Sequence, residues 1–223
     1  MRLAVLNGPN LNLLGTREPE LYGTTTLAEV EARLHEVAQE LGVKLAFAQF
    51  NHEGDMIDAI HALGGRHAAP GVAPELREKA DGALVNAGAW THTSLALRDA
   101  FSAVALPYAE VHLTNIFARE PERRVSVLAA GAQAVLCGFG SRGYELALRG
   151  LVAVLRERRG LSSEEIETRA TTYRELYDEL SAKHGFALPG RLVKVAVDAE
   201  FRSMDEPIVD GASVVFIPPV AGG

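Results

Sequence analysis

Short apolar runs, each cut off by a polar turn and followed by a segment of helical period, constrain this chain more than any other feature. Leu3-Ala4-Val5-Leu6 stops at Asn7-Gly8-Pro9-Asn10, which reads as a strand and then a turn. After a polar loop, Leu27, Val30, Leu34, Val37 and Leu41 recur at helical spacing, with Thr26 as the N-cap. Val43 to Phe47 reads as a second strand, and Met56, Ile57, Ile60 and Leu63 mark a second helix. Gly64 to Pro74, rich in Gly, Pro, His and Ala, reads as a loop or insertion. Ala83-Leu84-Val85 is a third strand ending at Asn86-Ala87-Gly88, and Ser94 to Ala105 a third helix. Tyr108 to Leu113 and Ala134 to Cys137 are the fourth and fifth strands, the last leading through a Gly-rich turn into a helix from Tyr144.

Strands that alternate with helices imply parallel pairing and right-handed crossovers. The expected fold is therefore α/β: a flavodoxin-like, doubly wound, five-stranded parallel sheet. Ligands of such sheets bind beyond the carboxyl ends of the strands. The polar turns Asn7–Asn10, Asn86–Gly88 and Glu110–Asn115 fall there. After Gly160 the pattern changes to a small α+β unit. Ile166 to Arg169 reads as a strand, and Thr171 or Thr172 caps a helix carrying Leu176, Tyr177 and Leu180. Leu192 to Val197 and Val214 to Ile217 are further strands.

Composition excludes several classes. The 223 residues suffice for one ample core, or for an ordinary domain plus a small one. With 48% hydrophobic and 23% charged residues the chain is globular. A formal net charge of -7 without a dense Lys/Arg cluster argues against nucleic acid as partner. Arg156, Arg158 and Arg159, interrupted by Glu157, read as a solvated helix end. No apolar stretch approaches the roughly 20 residues of a membrane span, and the first run is too short for a signal-peptide core. Cys137, the single cysteine, cannot form an internal disulfide and reads as a small core residue. The expected location is the cytoplasm.

Asn10, Arg17, Tyr22, Asn86, His92, Glu110 and His112 all fall in strand-end loops, a concentration of groups able to bind or move protons. Glu110 and His112 are two apart, so an extended strand points both to one face. A carboxylate there can orient the imidazole or hold its charge; on the pair alone, a hydrogen-bonded buried histidine is the competing reading. Two other patterns lead elsewhere. Gly138-Phe139-Gly140-Ser141-Arg142-Gly143 matches G-x-G-x-x-G but lies in the last βα unit, with no following strand ending in an acidic residue, so a tight turn is expected. His52, Glu53, Asp58 and His61 lack the H-E-x-x-H spacing, and no metal is expected.

Longer stretches carry a resemblance. Asn7-Gly8-Pro9-Asn10-Leu11-Asn12-Leu13-Leu14-Gly15, then Arg17-Glu18-Pro19 and Tyr22-Gly23, resemble the opening signature of type II 3-dehydroquinate dehydratases. So do Asn86 through Thr91-His92-Thr93-Ser94 to Arg98-Asp99, Glu110-Val111-His112 to Asn115 with Ala118–Pro121, and Gly138-Phe139-Gly140 with Gly143-Tyr144. The resemblance covers residues 1–158. It implies conversion of 3-dehydroquinate to 3-dehydroshikimate and water in the shikimate pathway to the aromatic amino acids, by base-catalysed elimination through an enolate. Tyr22 would be the base, with Arg17 lowering its pKa from the phenol's usual value near ~10. Asn10 would hold the enolate, and His112 would protonate the departing hydroxyl with Glu110 beside it. Asn86, His92, the Leu113-Thr114 backbone and Arg123 would grip hydroxyls and carboxylate, and Asp99 would reach a neighbouring subunit's site. The resemblance further implies a homo-oligomer, a dodecamer of trimers, with no metal, no cofactor and no lysine Schiff base. Two departures stand out: Glu122 where an aromatic is expected, and the insertion at Gly64 to Leu76.

The tail has a likeness of its own. Val214 to Ile217 followed by Pro218-Pro219-Val220-Ala221-Gly222-Gly223 resembles the C-terminus of the molybdopterin synthase small subunit, a ubiquitin-like sulfur carrier. This implies a β-grasp-like domain over 159–223, with the joint somewhere in 148–162. Gly222 and Gly223 would form the carrier terminus, and the partners would be the molybdopterin synthase large subunit and an adenylating enzyme. A second function follows as an alternative: a sulfur carrier on an assembling scaffold. One segment is claimed twice. Tyr144 to Arg158 should be the dehydratase's last helix, while a carrier's first strand would fall near Leu148 to Ala153. Leu146, Leu148, Leu151, Val152 and Leu155 fit the helix better.

Overall fold

The computed structural model describes residues 1–18, 20, 23–158, 166–184 and 188–217. The chain divides into two compact units, Met1–Ser162 and Ser163–Gly223.

In the first unit, β1 (Arg2–Asn7), β2 (Lys44–Gln49), β3 (Gly82–Asn86), β4 (Tyr108–His112) and β5 (Ala134–Cys137) form one sheet in the order β2-β1-β3-β4-β5. Every pairing is parallel. This is the expected flavodoxin-like order, with its switch point between β1 and β3. Side chains of β1 and β3 alternate between two cores. Ala4, Leu6, Ala83 and Val85 join Met56, Ile60 and Leu63 of α2 (Glu53–Leu63) and Leu97 and Phe101 of α3 (Leu95–Val104). Leu3, Val5 and Leu84 join Val30, Leu34 and Val37 of α1 (Leu27–Glu40) and Leu148, Leu151, Val152 and Leu155 of α4 (Arg142–Arg158). Burial on both faces is why these strands read as continuous apolar runs. Each fully enclosed Leu or Ile contributes about 1.5–3 kcal/mol.

Local chemistry sets the helix starts. Thr26 Oγ1 accepts the Glu29 N–H at 3.2 Å, and the Glu29 carboxylate accepts the Thr26 N–H at 2.7 Å, a reciprocal capping box for α1. Ser94 Oγ accepts the Leu97 N–H at 2.9 Å and starts α3. Gly138 (φ 89) and Gly140 (φ 56) turn the chain from β5 into α4, so G-x-G-x-x-G is here a tight left-handed turn.

The 64–76 segment is packed: Val72 and Leu76 are buried in the α2–α3 core. Arg2, which opens β1, donates to the Glu75 carbonyl and, at 2.6 Å, to the Glu78 carbonyl. The segment is thereby tied to the amino end of the sheet, away from the strand ends that carry the polar turns. Cys137 corrects one expectation. β5 is the sheet's edge, so the thiol is half-buried and not a core group.

The second unit holds α5 (Tyr173–His184) over a three-stranded antiparallel sheet of β6 (Lys194–Val197), β7 (Glu200–Arg202) and β8 (Val214–Ile217), in the order β7-β6-β8. Tyr173, Tyr177, Val193, Val195, Val197 and Met204 form its core. Tyr177 meets Phe216 edge-on, with ring centroids 5.1 Å apart. Both threonines serve the start of α5. Thr172 Oγ1 accepts the Glu175 N–H at 3.3 Å, and the Glu175 carboxylate accepts from the Thr171 N–H and hydroxyl at 2.7 Å each.

Ile166 to Arg169 is not a strand. Thr168 Oγ1 accepts the Ala170 N–H at 3.0 Å and donates to Glu179 at 2.5 Å, a local side-chain bond that competes with extended pairing. The strand expected from Leu192 begins at Lys194, because Gly190–Leu192 make a 3-10 turn. The doubly claimed segment is helix α4, which removes the strand alternative at Leu148 to Ala153.

Candidate active site

β4 places Glu110 and His112 on one face, and their side chains meet: His112 Nε2 lies 2.7 Å from Glu110 Oε1. Glu110 is fully enclosed and His112 keeps 6% of its surface. Thr91 donates its hydroxyl to Glu110 Oε1 at 2.9 Å, and Ser126 Oγ stands 2.8 Å from both carboxylate oxygens. Burial alone would raise the Glu110 pKa. The hydrogen bond from His112, its charge, and the bonds from Ser126 and Thr91 outweigh that and hold the carboxyl below its ordinary range. A carboxylate only accepts, so His112 gives Nε2–H to Glu110. Nδ1 is the ring nitrogen that Glu110 does not engage.

In front of His112 lies a cleft of about 150 Å³ at the carboxyl ends of the strands. Asn10, Arg17, Asn86, His92, His112, Leu113, Thr114 and Arg123, all expected at the site, line it. Pro9, Leu11, Leu14 and Ile116 supply apolar wall. Gly8 is required beneath it, because a Cβ there would come within 2.3 Å of the Ala87 carbonyl oxygen. Glu110 stands behind His112, outside the lining. Asp99 is exposed on α3, beside Arg98 at 3.3 Å, and is not brought to the cleft. Tyr22, Gly222 and Gly223 lie outside the described residues.

The cleft's polar groups are held in place. His92 Nδ1 donates to the Val125 carbonyl at 2.7 Å, which leaves Nε2 for the cleft. Asn86 Nδ2 donates to the Tyr144 hydroxyl at 2.8 Å, and that hydroxyl donates to Asn7 Oδ1 at 2.6 Å. Enclosure pushes the Tyr144 pKa up. Asn10 sits in the left-handed region (φ 66), its N–H donated to Asn51 Oδ1 at 3.0 Å.

Three arginines line the cleft, Arg17, Arg119 and Arg123, and among the described lining residues there is no carboxylate. Glu120 is paired with both Arg123 (2.9 Å) and Arg119 (3.4 Å), so Glu120, not Glu122, is the acid beside them. The segment 64–76 contributes nothing to the described lining. Sequence reasoning missed Thr91, Ser126, Arg119 and Tyr144 as parts of the site. Thr91, Arg119 and Tyr144 carried a signal, each being within a quoted motif. Ser126 carried none, because it reaches Glu110 from a loop.

The family profile described as Dehydroquinase class II matches residues 1–152. The ThiS family profile matches residues 150–223. The 3-dehydroquinate dehydratase of Gemmatimonas aurantiaca is 56% identical over 159 residues, 71% of this chain and 96% of that protein. That of Dinoroseobacter shibae is 51% identical over 155 residues, 70% and 95% of the two chains. Among solved structures, the type II dehydroquinase of Propionibacterium acnes superposes with a TM-score of 0.59 at 39% identity, over 68% of this chain and 96% of that one.

Proposed function

Since the chain belongs to the class II dehydroquinase family through residues 1–152, we propose how its residues divide the work of that family's reaction. The activity is that of a 3-dehydroquinate dehydratase, a hydro-lyase, with a ThiS-like region appended. Tyr22 takes the proton from the carbon next to the ketone. Arg17 steadies the tyrosinate, and Asn10 helps hold the enolate as the C–H electrons move into it. The enolate then collapses, the carbon–oxygen bond breaks, and His112 delivers a proton from Nδ1 so that water leaves. Asn86, His92, the Leu113-Thr114 backbone and Arg123 bind the substrate's hydroxyls and carboxylate.

The observation that carries this assignment is the Glu110–His112 pair at 2.7 Å, facing a cleft with three arginines on a chain of net charge -7. A charged imidazole backed by an enclosed carboxylate suits a general acid. A cationic cleft in an acidic protein focuses a small carboxylate anion. We further propose a trimer-based dodecamer in the cytoplasm, with Asp99 extending to a neighbouring copy's cleft. Among the described residues, no helix is long and apolar enough to cross a membrane.

For the C-terminal unit the ThiS match supports a carrier reading, in which Gly223 is adenylated and converted to a thiocarboxylate for the molybdopterin synthase large subunit. Mass spectrometry of the C-terminal peptide tests it: sulfur in place of one oxygen is expected after incubation with ATP, an adenylating enzyme and sulfide, pyrophosphate leaving on adenylation and AMP when sulfide attacks. For the dehydratase, purified protein is mixed with 3-dehydroquinate and followed by ultraviolet absorbance for the conjugated enone. Turnover that vanishes in Tyr22→Phe is expected. No turnover by folded wild type overturns the reading.

A further inference from the structure

Ser126 lies outside the cleft lining, yet its hydroxyl is engaged on every side. Oγ accepts the backbone N–H groups of Leu128 at 3.1 Å and Ala129 at 3.0 Å. A serine hydroxyl has two acceptor lone pairs and one proton. With both lone pairs taken, the proton has only the Glu110 carboxylate, 2.8 Å away, to point at. Ser126 is therefore an obligate donor to Glu110, not a rotor that adapts to it. Thr91 adds a second hydroxyl to Glu110 Oε1, the same oxygen that faces His112 Nε2.

The residues around Ser126 extend the device. The carbonyl of Val125 fixes His92 Nδ1 at 2.7 Å, and the N–H of Val127 donates to the Thr91 carbonyl at 2.9 Å. Three consecutive residues thus hold the two histidines of the cleft, one directly and one through Glu110. The charged and titratable groups around that carboxylate are His112 on its own strand and Tyr108, whose pKa burial and the Glu110 charge push up to about 12.

We infer that Ser126, together with Thr91, is a positioning residue for the general acid: by presenting two hydroxyl protons to Glu110 it keeps that carboxylate an acceptor for His112, so the imidazole holds its proton on Nε2 and works from Nδ1. The inference rests on the dehydratase reading above. Neither Thr91 nor Ser126 lines the described cleft. Removing one hydroxyl leaves Glu110 a stronger base and the imidazolium beside it a weaker acid, without altering the groups that line the cleft.

The test is the kcat–pH profile of Ser126→Ala, with Ser126→Thr as the hydroxyl-restoring variant. Ser126→Ala is expected to lower kcat about tenfold, the scale of one hydrogen bond to a charged group, with KM within about twofold. Its alkaline limb moves to higher pH, because a Glu110 carboxylate with one donor fewer holds the imidazolium proton more tightly, and Ser126→Thr returns it. Thr91→Val keeps the side-chain shape, removes the other hydroxyl and shifts the limb the same way, so a poorly folding Ser126→Ala does not leave the question open. An unmoved limb in either folded variant overturns the inference while wild-type turnover leaves the dehydratase reading standing. No turnover by wild type overturns both.

Discussion

The Tyr144 hydroxyl donates to Asn7 Oδ1 at 2.6 Å across 137 positions of the chain, and accepts from Asn86 in the same breath of space. The last helix of the first unit is thereby tied to the carboxyl ends of β1 and β3, which are paired in register at Asn7 and Asn86.

Tyr144→Phe leaves two buried amide groups short of a partner. At about 1–3 kcal/mol for each unsatisfied group, the expected loss is roughly 2–6 kcal/mol. Urea unfolding of the purified variant measures it. KM should rise as well, because Asn86 loses the bond that orients it. A loss below about 1 kcal/mol would mean that water replaces the hydroxyl.

Glu110 gives stability a pH dependence. Burial pushes its carboxyl up, but the bonds from His112, Ser126 and Thr91 bring it below its ordinary 4.5 in the folded chain. The folded state then binds fewer protons than the unfolded state at mildly acidic pH. The contribution is full above the unfolded value and is lost as pH falls through the folded one. Unfolding free energies of wild type and Glu110→Gln should therefore differ at neutral pH and draw together as pH falls below the ordinary carboxylate range. A gap constant with pH would sink this account.

Arg123→Lys separates binding from chemistry. A guanidinium can hold a carboxylate by a fork, whereas an ammonium acts as a point charge. KM for 3-dehydroquinate is expected to rise about tenfold with kcat changed less than about threefold. Steady-state kinetics decide, and a fall confined to kcat contradicts the assignment.

Ala199→Gly should stabilise the second unit. Asp198 (φ 50) and Ala199 (φ 67) are the two central residues of the hairpin from β6 to β7, both left-handed. Such turns favour glycine at the second position. A gain of about 1 kcal/mol is expected, read as slower hydrogen exchange at the β6–β7 ladder. Unchanged exchange would mean that the turn is not strained.

The same hairpin shows where sequence reading fails. β7 went unseen because Asp198-Ala199 lacks the Asn-Gly or Asp-Gly signal, though the backbone adopts that turn. Ile166 to Arg169 failed for the opposite reason: its composition suits a strand, but Thr168 satisfies the neighbouring backbone from its own side chain. The five strands, the Thr26 cap and the shared face of Glu110 and His112 were legible because each depends on residues within four positions of one another. Ser126 was not, since its partner comes from a distant segment and no local period announces it, and Tyr144, although within a quoted motif, gave no sign of its bonds to Asn7 and Asn86.

Helix α4 runs to Arg158, whereas the ThiS likeness starts at residue 150. The two likenesses therefore meet within one continuous helix, and the chain cannot be cut cleanly at the edge of either match. A gene trimmed after residue 152 would strip Leu155 from a core it helps close. One begun at residue 150 would release an amphipathic helix with its apolar side bare. Whoever dissects this protein will have to duplicate the shared turns, giving each half its own copy.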